Sequence, residues 1–123
     1  MLYSNSLVTI ELHESEIPWL KIFTNTPHKE FSECSRSEKE MVWECLDIIE
    51  KAMLGYFKPE KINIASFGNM LPRVHWHIMA RFRDDSYFPE PMWGVRQREG
   101  SGLPAPMEPF LEELKRELHS RLD

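Results

Sequence analysis

Residues 71–81 read Leu-Pro-Arg-Val-His-Trp-His-Ile-Met-Ala-Arg, and they hold the side chains best suited to chemistry. His75 and His77 alternate with apolar Val74, Trp76, Ile78 and Ala80, while Arg73, Arg81 and Arg83 share the parity of the histidines and only Met79 interrupts the row. Period-two alternation of this kind predicts a strand with one face buried and the other open. Side chains on one strand face recur about every ~6.6 Å, so both imidazoles would stand on a rigid row between guanidinium groups. Such a row suits an anion. Two histidines at this spacing can also serve zinc, but the row offers methionine and arginines where a third ligand is needed, and flanking cations repel a divalent ion. Phosphate chemistry fits better, with imidazole as nucleophile or proton carrier and guanidinium as a planar phosphate clamp.

The rest of the chain bounds that reading. At 123 residues it predicts a single domain, 1–123, long enough for a real core. Fifteen basic residues against 20 acidic ones argue against a nucleic-acid polymer as partner, so the arginine-rich strand is a local basic patch on an acidic protein. Cys34 and Cys45 lack a Cys-x-x-Cys spacing and are expected to be free thiols in a reducing compartment. No apolar run has the length of a membrane span or signal peptide, and the expected location is cytoplasmic, with no membrane partner.

The elements that must position the histidines can be read in outline. Residues 7–12 and 19–24 predict a strand hairpin, and Pro27 breaks the loop that follows. Ser37 with Glu40, or Ser35 with Glu38, forms a capping box for a long helix. Its apolar stripe includes Met41, Val42, Cys45, Leu46, Ile48, Ile49, Ala52 and Met53, with Gly55 placed as its C-terminal cap. Residues 61–67 predict a third strand, joined through Gly68-Asn69 and Pro72 to the histidine strand at 73–82. Residues 84–94 read as irregular and aromatic, 95–106 as a mobile linker, and 108–122 as an amphipathic C-terminal helix carrying Leu111, Leu114, Leu118 and Leu122. Trp76 belongs to the buried strand face, and Trp93 reads as a packing anchor near the site. The fold class is α+β: an antiparallel sheet of about five strands with one long helix packed on it.

At these residues the chain resembles the histidine triad (HIT) superfamily of nucleotide hydrolases and transferases, whose motif is His-φ-His-φ-His-φ-φ with φ apolar. Aligning Arg81 with the trailing arginine of the dinucleoside polyphosphate hydrolase branch places His75 at the middle, nucleophilic histidine, His77 at the last, and Arg73 at the first. Ile-Asn-Ile-Ala-Ser-Phe-Gly-Asn before the motif, Asp-Asp-Ser-Tyr-Phe-Pro-Glu-Pro-Met-Trp-Gly after it and the early Ile-Pro-Trp-Leu resemble a bacterial HIT-like subgroup in which a polar residue replaces the first histidine. The resemblance implies attack by His75 on the α-phosphate of a nucleotide, such as a dinucleoside polyphosphate or nucleoside phosphoramidate. A nucleotidyl-imidazole would form and then be hydrolysed, with no metal or other cofactor. The backbone carbonyl of the first motif position, here Arg73, would hold the second nitrogen of His75. His77 would bond the phosphate or bridging oxygen. Asn69, Arg73 and Arg81 would contact phosphate, and Glu14 the ribose hydroxyls. It also implies a homodimer formed through the long helix and the histidine-strand sheet. The alternative is a nucleotide-binding module whose turnover is lost because Arg73 stands in for the first histidine.

Overall fold

A computed structural model describes all residues 1–123. In chain order the elements are β1 (Tyr3–Ser4), β2 (Val8–Leu12), β3 (Trp19–Thr24), a 3-10 turn (Phe31–Glu33), α1 (Arg36–Phe57), β4 (Lys61–Ala65), β5 (His75–Arg81) and α2 (Met107–Leu122). The strands form one antiparallel sheet in the order β1-β2-β3-β5-β4. The α+β expectation holds, and the histidine strand lies inside the sheet, between β3 and the edge strand β4.

The register shows why period two worked. Leu20 faces Ile78, Ile22 faces Trp76, Ile10 faces Ile22 and Ile62 faces Ala80, which makes a continuous apolar surface on one side of the sheet. Val42, Cys45, Ile48, Ile49, Met53 and Phe57 of α1 are buried against that surface and form the main core with it. The helix begins with the Ser35–Glu38 box: Glu38 N–H donates to Ser35 Oγ at 3.1 Å and Ser35 N–H to Glu38 Oε1 at 2.7 Å. Gly55 is not its cap. The helix runs on to Phe57, and Lys58 ends it in the left-handed region at φ 49° and ψ 55°. The apolar contact of Phe57, two residues on, outweighs the glycine's poor helix propensity, which is worth only about 1 kcal/mol.

The C-terminal helix packs on α1 and β1, burying Phe110, Leu114 and Leu118, with Leu111 and Leu122 half-buried at the margin. Tyr3 Oη donates to Asp123 at 2.8 Å and ties the two ends of the chain together. The segment 95–106 is not free along its length. Gln97 N–H and Arg98 N–H both donate to Ser86 O, and the Arg98 guanidinium donates to Asp85 O and Phe88 O at 2.7 Å each. No helix is long and apolar enough to cross a membrane.

The opposite face of the sheet departs from the open surface that the alternation predicts. Every residue of β5 is buried, His75 at 7 % exposure and His77 at 8 %. The cover comes from aromatic residues of other segments, Trp19, Phe67 and Trp93, and from a small second core of Ile17, Trp19 and Met79.

Candidate active site

His75 and His77 project from β5 on the face away from α1, with ring centroids 5.0 Å apart. His75 Nδ1 lies 2.8 Å from Arg73 O. A carbonyl can only accept, so Nδ1 carries the proton and the lone pair is on Nε2. Phe23, opposite His75 on β3, stacks on its ring at 5.1 Å and 16°. Ser66 Oγ donates to His75 O at 2.7 Å and pins the same residue from the β4 side. The imidazole is thus oriented by the Arg73 carbonyl and the Phe23 ring, and its Nε2 lone pair is left free.

His77 is set the other way. Trp19 Nε1–H donates to His77 Nδ1 at 3.0 Å in a buried contact. Neutral His77 therefore carries its proton on Nε2. Burial, then the nearby His75, His13 and Lys21, push its pKa down to about 4, so it is a neutral hydrogen-bond donor near pH 7. One strand holds two imidazoles in opposite tautomers, one a lone-pair donor and the other a proton donor.

A cavity of about 550 Å³ opens over these rings. His13, Lys21 and the two histidines give it a basic wall; Phe23, Phe67, Met70, Leu71 and Trp93 give it an apolar one; Gly68 and Asn69 close it, and no acidic side chain lines it. Gly68 has φ +70° at the turn before the histidine strand, a conformation that side chains with a Cβ rarely adopt. A separate groove of about 470 Å³ between α1 and α2 is lined by Ile48, Tyr56, Phe110 and Leu114 and does not reach the histidine strand.

The structure brings some of the expected residues together and separates others. Asn69 lines the cavity beside the histidines. Glu14 is exposed on the β2–β3 connection, next to the cavity residue His13 but not on the wall itself. Arg73 supplies its carbonyl to His75, yet its side chain is spent elsewhere: Nη2 donates to Thr24 O, the guanidinium lies 5.3 Å from the Phe23 ring, and the residue lines a neighbouring cavity. Arg81 is a clearer correction to the phosphate-contact expectation. It is 2 % exposed and its guanidinium is consumed by Asp85 Oδ2 at 2.9 Å, Asp85 Oδ1 at 3.1 Å, Asn63 at 2.9 Å and Glu90 O at 2.7 Å. Burial opposes the ionisation of Asp85. The Arg81 bond and the N–H groups of Phe82, Phe88 and Tyr87 outweigh it and hold the carboxyl below its usual range.

Arg81 and Asp85 together fix the loop that carries Trp93 over the site. The Trp93 ring lies 5.0 Å from His77, 5.2 Å from Trp19 and 4.7 Å from Phe67. The expected anchor role of Trp93 is what its contacts show. Sequence reasoning missed Lys21, His13, Phe23 and the indole bond of Trp19. Trp19, Lys21 and Phe23 share one parity on β3, which was a usable signal, but nothing in that parity says that β3 pairs with the histidine strand.

No family model and no curated protein matches the sequence. Among solved structures, it is similar to a histidine triad protein from Bradyrhizobium japonicum, at 25% identity and TM-score 0.77 over 94% of this chain and 87% of that one. A histidine triad protein from Sinorhizobium meliloti matches at 25% identity and TM-score 0.72, over 96% of this chain and 86% of that one. One from Marinobacter aquaeolei matches at 24% and TM-score 0.72, over 92% and 88%. The fold of this chain, with its histidine strand between two antiparallel neighbours and a long helix behind them, is that of the bacterial histidine triad proteins.

Proposed function

We propose that the protein is a nucleotide hydrolase or nucleotidyl transferase acting at an α-phosphate through His75. One observation carries the reading: the His75 Nδ1–H bond to Arg73 O leaves Nε2 as a free nucleophile at the wall of a cavity that holds the Lys21 cation and no carboxylate. The carbonyl comes from the backbone, so arginine at the first motif position supplies it as well as histidine would. This favours turnover over a binding module that has lost it.

In the reaction, the His75 Nε2 lone pair forms a P–N bond while the bond from phosphorus to the leaving group breaks. The His77 Nε2–H donates a hydrogen bond to a phosphoryl or bridging oxygen, which gathers charge as the leaving group departs. Water then attacks phosphorus and gives up a proton to solvent, the P–N bond breaks, and the imidazole returns to its starting tautomer with Nδ1–H still on Arg73 O. Lys21 and His13 on the basic wall and Asn69 at the turn hold phosphate oxygens, and Glu14 reaches from the rim toward the ribose. Arg73 and Arg81 serve as positioning residues rather than phosphate ligands. The active unit is a homodimer, a reading supported by exposed Ile64 on the edge strand β4 and exposed Trp43 and Leu54 on α1.

The test is to incubate the protein with dinucleoside polyphosphates and nucleoside phosphoramidates, quench in alkali, and weigh the protein. Release of mononucleotide together with a nucleotidyl adduct that is absent from His75→Ala is the expected result. Nucleotide binding with neither adduct nor product would leave only the binding module.

A further inference from the structure

Away from the histidine strand, the segment between β3 and α1 gathers three side chains that ligate metals. His28, Cys34 and Glu38 each bring one donor atom, an imidazole nitrogen, a sulfur and a carboxylate oxygen, within 4.8 Å of the others. His28 Nε2 lies 3.0 and 3.1 Å from the two oxygens of Glu38. Cys34 and Glu38 are buried, and Cys34 is a free thiol. His28 keeps 20% of its side chain exposed, which leaves a route from solvent.

We propose that His28, Cys34 and Glu38 form a binding site for a zinc-class divalent cation, separate from the catalytic histidines, with water as the fourth ligand. The donor set points to this class of metal. A thiolate with an imidazole and one carboxylate suits zinc, whereas magnesium and calcium take oxygen ligands alone. The size fits as well. Tetrahedral zinc with bonds of about 2.0 Å to nitrogen and oxygen and about 2.3 Å to sulfur spaces its donors roughly 3.3–3.6 Å apart, so the sulfur distances close by up to about 1.2 Å and the His28–Glu38 pair opens by about 0.3 Å.

Each ligand hangs from its own backbone anchor. Ser35 N–H holds Glu38 Oε1 at 2.7 Å in the helix cap. Cys34 N–H donates to Phe31 O at 3.1 Å at the end of the 3-10 turn. His28 O accepts from Val74 N–H at 2.7 Å, which ties the site to the residue preceding His75. On binding, the Cys34 S–H bond breaks and its proton goes to solvent, the proton that His28 Nε2 donates to Glu38 also leaves for solvent while Nδ1 stays or becomes protonated, and metal bonds to sulfur, Nε2 and a Glu38 oxygen replace the S–H bond and the His28–Glu38 hydrogen bond. No oxidation state changes.

Chelator-stripped full-length protein would be titrated with Co(II) without oxygen, then with Zn(II). One equivalent of cobalt should bind with thiolate-to-cobalt charge-transfer absorption, and zinc should displace it. Cys34→Ser should remove the absorption while Cys45→Ala keeps it. His28→Ala and Glu38→Gln should weaken binding by about 100-fold or more, since losing outer-shell partners alone costs roughly 10–100-fold. Failure to take up cobalt at one equivalent, or absorption that survives Cys34→Ser, overturns the proposal. Should Cys34→Ser fail to fold, X-ray absorption at the zinc edge of the wild-type protein decides: one sulfur neighbour at about 2.3 Å supports the site, and nitrogen and oxygen neighbours alone overturn it.

Discussion

The indole N–H of Trp19 donates to Nδ1 of His77 at 3.0 Å, across the β3–β5 ladder and one step diagonal to the Lys21–His77 pair. This single bond decides which nitrogen of His77 meets the cavity. Trp19→Phe keeps an aromatic ring against Ile17 and Met79 and deletes the donor. The expected outcome is a fall in kcat of about fivefold with little change in KM, consistent with a neutral hydrogen bond worth about 1 kcal/mol. Nitrogen-15 spectra of His77 should change from a pure Nε2–H tautomer to a mixture, a readout that a packing role alone would not move.

Replacement of the proposed nucleophile separates chemistry from binding. His75→Ala should lower turnover by about 10⁴-fold or more while nucleotide still binds, because Lys21, His13 and His77 remain in the cavity. His77→Ala should be milder, removing a hydrogen bond to charged phosphate worth about 1.5–3 kcal/mol. Rapid-quench assays of both variants check this, and a dead His77→Ala beside an unimpaired His75→Ala would place the nucleophile on the wrong ring.

Removing one partner of the buried Arg81–Asp85 pair strands the other charge. Asp85→Ala should destabilise the protein by about 3–5 kcal/mol in urea unfolding. It should also release the loop that carries Trp93, read as a red shift in tryptophan emission before global unfolding. A loss below about 1 kcal/mol would return the pair to the value of a surface ion pair and the loop to independence from it.

Acid sensitivity follows from His77. Its folded pKa of about 4 lies below the ordinary histidine value of 6.5, so the unfolded chain accepts a proton that the folded protein refuses. Stability present at neutral pH therefore declines as pH falls from about 6.5 toward about 4, by up to about 3 kcal/mol at roughly 1.4 kcal/mol per pKa unit. Urea midpoints across that range, with His77→Gln losing much of the slope, check both sign and source.

Assembly is tested by sedimentation. Ile64 is 46% exposed on β4, and Trp43 is 54% exposed on α1. The expected species at micromolar concentration is a dimer, and Ile64→Lys should shift it toward monomer with His75 chemistry reduced rather than abolished. A wild-type monomer with full activity contradicts the homodimer.

Local pattern sufficed for much of this protein. The alternation around His75 and His77 identifies the strand, its parity and the face that meets α1, because side-chain direction in a strand depends only on position along it. The Ser35–Glu38 box places the helix start through a bond between residues three apart. The two residues beyond Gly55 defeat the cap signal for a tertiary reason, since Phe57 packs on Phe110 of α2 at a centroid distance of 4.8 Å. Arg81 misleads on the same grounds. In the sequence it is one more basic residue on the histidine parity, and only the loop folded back through Asp85 and Glu90 makes it structural. The placement of β5 between β3 and β4 sets Trp19, Lys21 and Phe23 beside the histidines. That placement comes from burying both sheet faces at once, one apolar against α1 and the other under Trp19, Phe67 and Trp93, an energy shared by segments distant in the chain. Periodicity within a segment records which side is buried, and tertiary packing alone decides what it is buried against.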